Sequence, residues 1–217
     1  MSVMQRPPLP PAACPQRDKA TGESWVLRFG RTERFAHWWT VLMVAVALQS
    51  GLAMGEESRS GLVLGVHVGA VVMIGVGLIV AALFGNHRDL FGAARQLVVF
   101  DGRDVAWLRS RLQHPFRRHT DRAWGMFNTG QKILAWCLAI SLSAVIVTGV
   151  LDWSAGGEGG GLHGPVVVVT ALLLGAHIFM AVVNPATRPA LAGMVFGRVR
   201  RSWAAEHHGE WLDKVGR

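Results

Sequence analysis

Four long apolar stretches dominate the sequence and restrict what it can fold into. They run over residues 35–54, 61–84, 133–151 and 165–183, and none of them contains Asp, Glu, Lys or Arg. A helix needs about 20 apolar residues to cross the hydrocarbon core of a bilayer. Charged residues make up only 17% of the chain, below the roughly 25% of soluble domains. We therefore predict an all-α membrane protein with a transmembrane four-helix bundle in residues 35–183.

The segments outside the predicted spans fix the orientation. Residues 1–34 form a proline-rich tail, and residues 184–217 form a basic tail. All 22 Lys and Arg residues except Arg59 fall on one side of the predicted bundle. Basic loops stay in the cytoplasm, so we predict that both termini and the loop 85–131 are cytoplasmic. Topology then explains the net charge of +8 without a nucleic-acid partner.

The basic tail at residues 184–217 carries apolar side chains at helical spacing. This pattern predicts an amphipathic helix, lying either on the membrane surface or against the bundle. The residues that carry the pattern are Leu191, Met194, Val195, Val199 and Trp203.

Four of the nine histidines lie in or at the ends of the spans, namely His37, His67, His163 and His177. An ionisable side chain in hydrocarbon is costly and needs a partner. His163 and His177 are 14 residues apart, about 40° short of four full helical turns, so they share one helix face. The topology places His37 level with His177 near the inner surface, and His67 level with His163 near the outer surface. We therefore predict two pairs of facing imidazoles at two depths.

Two imidazoles at one depth favour haem over other functions. Haem iron takes one imidazole on each face of the porphyrin, whereas zinc normally needs three or four ligands that include carboxylates or thiolates. A proton relay would normally include intramembrane Asp or Glu. The spans hold no carboxylate and one cysteine, Cys137, and the chain has no Cys-x-x-Cys-His motif, so the haem would be non-covalent. We interpret the five remaining histidines as solvated surface residues: His87, His114, His119, His207 and His208.

Several motifs carry a resemblance to a known family. They are Glu33-Arg34-Phe35-Ala36-His37-Trp38, the lone His67, Asn128-Thr129-Gly130-Gln131-Lys132, the His163/His177 interval, and the tail from Gly193 to His208. Together they resemble the cytochrome b (gamma) subunit of membrane-bound respiratory formate dehydrogenases. The wider group contains di-haem cytochrome b561 proteins and the cytochrome b subunits of nickel–iron hydrogenases.

This resemblance implies an electron-transfer subunit of a quinone-reducing complex rather than a complete enzyme. It implies two b haems, one held by His37 with His177 and the other by His67 with His163. It also implies iron–sulfur (beta) and catalytic (alpha) dehydrogenase partner subunits in the cytoplasmic membrane of a bacterium. The quinone pocket carried over by motif consists of Asn128, Gly130 and Gln131, with His177 beside it. An amide pair can hydrogen-bond a quinone carbonyl, and Asn128 could also serve as a helix N-cap.

Three other functions stay open on the sequence. The chain could be a stand-alone cytochrome b561-type oxidoreductase that takes electrons from a diffusing donor such as superoxide. It could be the cytochrome b subunit of a nickel–iron hydrogenase, or a channel, transporter or scaffold without redox chemistry. Arg34 is either a contact for a haem propionate or an ordinary basic flank of the first span.

Overall fold

Four long helices form the body of the protein. The computed structural model describes residues 16–17, 23–54, 61–113, 124–156 and 161–215. The long helices are α1 (Arg31–Ala53), α2 (Gly61–Phe84), α5 (Thr129–Ser154) and α6 (His163–Ile178), and α6 continues as a π-helical turn over Phe179–Val183. All four are long and apolar enough to cross a membrane. The predicted all-α, four-helix fold is confirmed.

Two of these helices extend beyond the apolar stretches that the sequence marks. Helix α1 begins at Arg31 instead of residue 35. Helix α5 covers Thr129–Ser154, whereas the apolar stretch covers 133–151. The reason is that hydrogen bonding and capping set the ends of a helix, while hydropathy marks only the part that can lie in hydrocarbon.

The bundle consists of two helical hairpins. Within the described residues, α1 packs closely on α2 and α5 packs on α6, while backbone approaches between the two hairpins are fewer. Trp39 on α1 packs directly against α2. Its indole Nε1 donates to the carbonyl of Met73 at 2.7 Å, and its ring occupies the space that a Cβ at Gly77 would need. Most residues buried in the bundle are small: Ala36, Ser50, Ala70, Gly77, Ala81, Ser141 and Thr170.

Shorter elements surround one end of the bundle. Along the chain, the segment between the first and the second hairpin contains α3 (His87–Val98) and α4 (Gly102–Gln113). A 3-10 turn at Arg188–Ala190 follows the last span and leads to α7 (Leu191–Phe196). The chain then forms β3 (Arg198–Arg200), α8 (Arg201–His207) and α9 (Gly209–Val215).

A small sheet joins the two ends of the chain. Strands β1 (Gln16–Arg17), β2 (Ser24–Leu27) and β3 pair antiparallel in that order, with Val26 opposite Val199. We use the name terminal cap for β2 with the following Arg28 and Phe29, β3, α8, α9 and residues 124–127. The cap end is the end of the bundle that this unit covers. The opposite end is the distal end. The cap has its own core, formed by Val26, Phe29, Met126, Val199, Trp203, Ala204, Trp211 and Leu212.

The structure corrects the interpretation of both tails. The residues from Leu191 to Trp203 do not form one amphipathic helix, because Gly197 adopts φ +83° at the end of α7 and Val199 lies in a strand. Only glycine adopts this backbone conformation easily. Val199 is completely buried against the cap core. Within the segment predicted as a tail, Ser24–Leu27 forms a strand and α1 begins at Arg31.

Candidate functional site

Two histidines meet near the cap end. His37 on α1 and His177 on α6 have ring centroids 6.2 Å apart, with the ring planes inclined by 49°. His37 also meets Trp38 edge to face at 5.2 Å. The Nδ1 atom of His37 is buried and has no hydrogen-bond partner among the described residues. A buried imidazole nitrogen without a partner is costly, so this position fits a site that a ligand completes.

The other two histidines meet near the distal end. His67 on α2 and His163 on α6 have ring centroids 6.3 Å apart, with the ring planes nearly perpendicular at 86°. Both side chains are half-buried. The structure thus brings the four intramembrane histidines together as two pairs, each composed of one residue from each hairpin.

The backbone of the neighbouring helix orients His67. Its Nδ1 donates to the carbonyl of Ala47 at 2.9 Å and lies 3.3 Å from the hydroxyl of Ser50. The Ser50 hydroxyl donates to the carbonyl of Val46 at 2.7 Å, so its lone pairs face the ring. A Cβ at Gly51 would lie 3.3 Å from Cε1 of His67. The ring therefore rests directly on the backbone of α1 with Nδ1 engaged.

His163 is oriented in the same way by α5. Its Nδ1 donates to the carbonyl of Val145 at 3.1 Å and lies 3.3 Å from the hydroxyl of Thr148. The Thr148 hydroxyl donates to the carbonyl of Ala144 at 2.7 Å. A Cβ at Gly149 would lie 3.1 Å from Cε1 of the ring.

The two hairpins therefore repeat one local motif that the sequence analysis missed. Residues 47–51 read Ala-Leu-Gln-Ser-Gly and residues 145–149 read Val-Ile-Val-Thr-Gly. In each segment, Ala or Val supplies the backbone carbonyl that binds the histidine. The Ser or Thr hydroxyl follows three residues later and the glycine four residues later. Residues at these spacings lie on one face of a helix. The shared Ser/Thr-Gly pair is visible in the sequence, but its role depends on a histidine 15 to 17 residues further along the chain.

The geometry of both pairs fits haem iron. Two metal–nitrogen bonds of about 2.0 Å, with each nitrogen about 1.1 Å from its ring centre, set the ring centroids about 6.2 Å apart. The observed separations are 6.2 and 6.3 Å. In the distal pair both Nδ1 atoms donate to carbonyls, which leaves Nε2 as the ring nitrogen available to a metal. Among the described residues there is no cluster of three or more His, Cys, Asp or Glu that could hold a metal ion. The pairs therefore suit an iron that brings its own equatorial ligands.

Asn128 and Gln131 form a capping box at the start of α5. The Asn128 Oδ1 accepts from the backbone N–H of Gln131 at 2.9 Å, and the Gln131 Oε1 accepts from the backbone N–H of Asn128 at 3.0 Å. Their amide NH2 groups donate to no protein atom within the described part of the chain. A Cβ at Gly130 would lie 3.4 Å from Oδ1 of Asn128 and 3.7 Å from Trp107. Among the described residues, no hydrogen bond or ring contact joins His177 to this capping box.

A buried ion pair lies beside the capping box and was not anticipated. Asp104 on α4 is 1% exposed. It accepts from the Thr129 hydroxyl at 2.6 Å and from Lys132 Nζ at 2.7 Å. Burial raises the pKa of this carboxyl, but the hydrogen bonds from Lys132 and Thr129 outweigh that effect and lower it. Asp104 stands in a charged loop segment, where nothing in the sequence distinguishes it from its exposed neighbours.

The structure also locates three of the histidines outside the spans, and Arg34. His208 is 1% exposed, so its interpretation as a solvated residue is wrong; it is buried because β2, β3 and the last two helices fold over it. His87 is exposed and His207 is half-buried, while His114 and His119 lie outside the described residues. Arg34 donates to the carbonyls of Gly30 and Val195 at 3.2 and 3.1 Å.

The chain is similar to known membrane cytochromes. The family described as "Prokaryotic cytochrome b561" matches residues 28–197. The cytochrome b556(Fdn) subunit of the nitrate-inducible formate dehydrogenase of Escherichia coli (strain K12) is 22% identical over 216 residues, covering 88% of this chain and 91% of the relative. The cytochrome b556(fdo) subunit of the same organism is 23% identical, covering 88% and 93%. The formate dehydrogenase cytochrome b556 subunit of Haemophilus influenzae is 22% identical, covering 88% and 84%.

Proposed function

The chain belongs to the prokaryotic cytochrome b561 family, and we propose that it is the membrane-anchoring di-haem cytochrome b subunit of a respiratory formate dehydrogenase. In this function it passes electrons from an iron–sulfur partner subunit to a membrane quinone. The observation that carries the proposal is the pair of histidine clusters, each with the ring separation that a six-coordinate haem iron requires. The similarity to formate dehydrogenase cytochromes supports the choice of complex.

The four histidines would hold the two haems. His37 and His177 would ligate one b haem near the cap end, and His67 with His163 would ligate the other near the distal end. Bound there, the haems supply one-electron transfer at iron. The carbonyls of Ala47 and Val145 keep the Nδ1 atoms of His67 and His163 protonated and hold the rings in one orientation, which fixes the tautomer that ligates through Nε2.

The start of α5 is our proposed quinone site. The amide NH2 groups of Asn128 and Gln131 have no partner among the described residues and can each donate a hydrogen bond to a quinone carbonyl. Gly130, between them, adds no side chain that would block the ring. Reduction of the quinone takes two electrons and two protons, so protons would be drawn from the cytoplasm while electrons arrive from the distal side. This arrangement moves charge across the membrane if both termini are cytoplasmic, as the distribution of basic residues indicates.

A haem analysis of histidine variants tests the proposal. The purified protein, expressed with ample haem supply, should show about two b haems per chain in a reduced-minus-oxidised spectrum. His67→Ala should remove only the distal haem and His37→Ala only the haem at the cap end, because each pair uses separate ligands. The exposed His87 provides a matched control, and His87→Ala should keep both haems. A colourless wild-type protein would refute the proposal, and retention of both haems in either ligand variant would refute the pairing.

A further inference from the structure

Three consecutive backbone carbonyls just before α5, within the cap segment 124–127, accept hydrogen bonds from the N- and C-terminal parts of the cap. The backbone N–H of Trp211 donates to the carbonyl of Trp124 at 3.3 Å. His208 Nδ1 donates to the carbonyl of Gly125 at 2.8 Å, and Arg28 Nη2 donates to the carbonyl of Met126 at 2.7 Å. The donors come from both ends of the chain and converge on one short segment. Asn128, the N-cap of α5, follows two residues later.

Arg28 and His208 form the centre of this arrangement. Arg28 is 5% exposed, and its guanidinium carbon lies 5.3 to 5.9 Å from the ring centroids of Phe29, Trp203 and Trp211. Its Nη2 also lies 3.4 Å from Nε2 of His208. These contacts assign the hydrogen bonds: Nδ1 of His208 carries the proton that Gly125 accepts, and Nε2 accepts from Arg28.

The charges agree with that assignment. Burial lowers the pKa of Arg28 to about 10, so the guanidinium stays charged at neutral pH. Burial and the nearby Arg28 charge lower the pKa of His208 to about 3, so the imidazole stays neutral. Arg28 forms no ion pair with a carboxylate among the described residues, and its Nε and Nη1 have no hydrogen-bond partner there. A buried cation without a carboxylate partner costs stability, so the hydrogen bonds to Met126 and His208 and the aromatic rings are what hold Arg28 in place.

The opposite side of the α5 start is also held. Asp104 binds the Thr129 hydroxyl and the Lys132 ammonium group. Asn128 and Gln131 therefore lie between two fixed contacts, one from the cap and one from α4. The side-chain oxygen of Asn128 accepts from the backbone N–H of Gln131, and that of Gln131 accepts from the backbone N–H of Asn128. The direction in which the two side-chain NH2 groups point therefore depends on the position of the backbone at the start of α5.

We propose that Arg28 and His208 are positioning residues for quinone reduction. By binding the carbonyls of Met126 and Gly125, they hold the backbone so that the Asn128 and Gln131 amides face the quinone carbonyl. This inference rests on the quinone site proposed above. Loss of one buried hydrogen bond corresponds to about a tenfold change in a conformational equilibrium. When only a fraction of the protein can bind, the apparent affinity falls by that same fraction.

The test compares substitutions at two adjacent histidines. The purified, haem-loaded cytochrome is reduced chemically, and its reoxidation by a short-chain quinone is followed over a range of concentrations. For His208→Ala we expect a rise in the quinone KM of up to about tenfold, a maximal rate within about twofold of wild type, and an unchanged haem spectrum. His207→Ala is the matched control, because among the described residues the polar contacts of His207 stay within its own helix, to the carbonyl of Trp203 and the carboxylate of Glu206. It should keep the wild-type KM.

A second pair of variants keeps the test decisive if His208→Ala does not fold. Asparagine can place its NH2 near the position of Nδ1 and donate to Gly125, whereas glutamine reaches the position of Nε2 instead. His208→Asn should therefore keep the wild-type KM, and His208→Gln should raise it. Equal KM values for these two variants would overturn the proposal.

Gln131→Ala separates this inference from the quinone site on which it rests. If Gln131→Ala slows reoxidation and raises the KM while His208→Ala or His208→Gln does not, the positioning role is wrong and the quinone site stands. If Gln131→Ala leaves reoxidation unchanged, the quinone site itself is wrong and the positioning role falls with it. In every variant the haems should remain reducible, because none of these residues contacts a histidine of the two pairs.

Discussion

Replacing Gly149 by valine should remove the distal haem and leave the other in place. Gly149 lies beneath the ring of His163, and a Cβ there would stand 3.1 Å from Cε1 and 3.3 Å from Nδ1 of that ring. Carbon atoms pack at about 3.5 to 4.0 Å, so even alanine must push the ring away by at least about 0.4 Å. Metal–ligand distances tolerate only about 0.2 Å.

The size of the effect follows from how His163 is held. Displacing the ring also breaks its hydrogen bond to the carbonyl of Val145, and disruption of such supporting contacts typically lowers metal affinity about 10- to 100-fold. Gly149→Ala should therefore weaken distal haem binding by this factor. Gly149→Val adds two methyl groups and should abolish it. The effect of alanine on helix stability has the opposite sign, because alanine stabilises a helix by about 0.5 to 1 kcal/mol relative to glycine. A loss of haem in Gly149→Ala therefore cannot come from weakening α5.

The assay is the haem-to-protein ratio together with the reduced-minus-oxidised spectrum. We expect the ratio to fall from about two to about one in Gly149→Val, with one spectral component missing. Gly75→Val is the matched control, because a Cβ at Gly75 on α2 meets nothing within 4 Å. Two haems with an unshifted spectrum in Gly149→Val would refute the placement of a haem at His67 and His163.

Two further predictions concern the cap end. Asp104→Asn should lower the free energy of unfolding by about 3 to 5 kcal/mol, because it takes the carboxylate partner away from the buried ammonium group of Lys132. Adding Lys132→Met should recover most of that loss in thermal denaturation. A double variant as unstable as the single one would contradict this account. The folded-state pKa of His208 lies near 3, below its ordinary 6.5, so the unfolded chain binds a proton that the folded chain does not, and stability should fall as the pH drops from 6.5 towards 3. His208→Asn should flatten that dependence in hydrogen exchange of the cap, whereas His207→Asn should not, and identical slopes for the two variants would argue against a buried neutral His208.

The parts of the fold that the sequence predicts are the parts set by local rules. Apolar runs of span length identify the four helices, and the interval between His163 and His177 places both rings on one face, because a helix has a fixed angle per residue. The Asn128 cap was also recognisable, since its residue type and its position before an apolar helix are local features. None of these inferences requires knowing which helices are neighbours.

The parts that the sequence does not predict depend on contacts between distant segments. The role of Ser50 and Thr148 appears only when a histidine from the next helix lies against them. His208 is indistinguishable from exposed His87 until Val26 pairs with Val199 and closes the cap. The amphipathic spacing of the C-terminal tail was real, but Gly197 turned the chain into a strand, and backbone conformation prevailed over periodicity.

The two ends of the bundle differ in a way that matches the chemistry proposed for each. At the distal end both histidines rest on the same motif in symmetric hairpins, which suits a site that only holds a cofactor and exchanges electrons. The ion pairs between Lys or Arg and carboxylates among the described residues lie in the cap and at Glu23 just before it, in α4 and the residue before it, or at the start of α5. Quinone reduction needs protons and a substrate that enters and leaves, and both require polar groups that hydrocarbon does not tolerate. The asymmetry between the ends therefore supports the proposal that proton-coupled chemistry takes place at the cap end, where Asn128 and Gln131 lie.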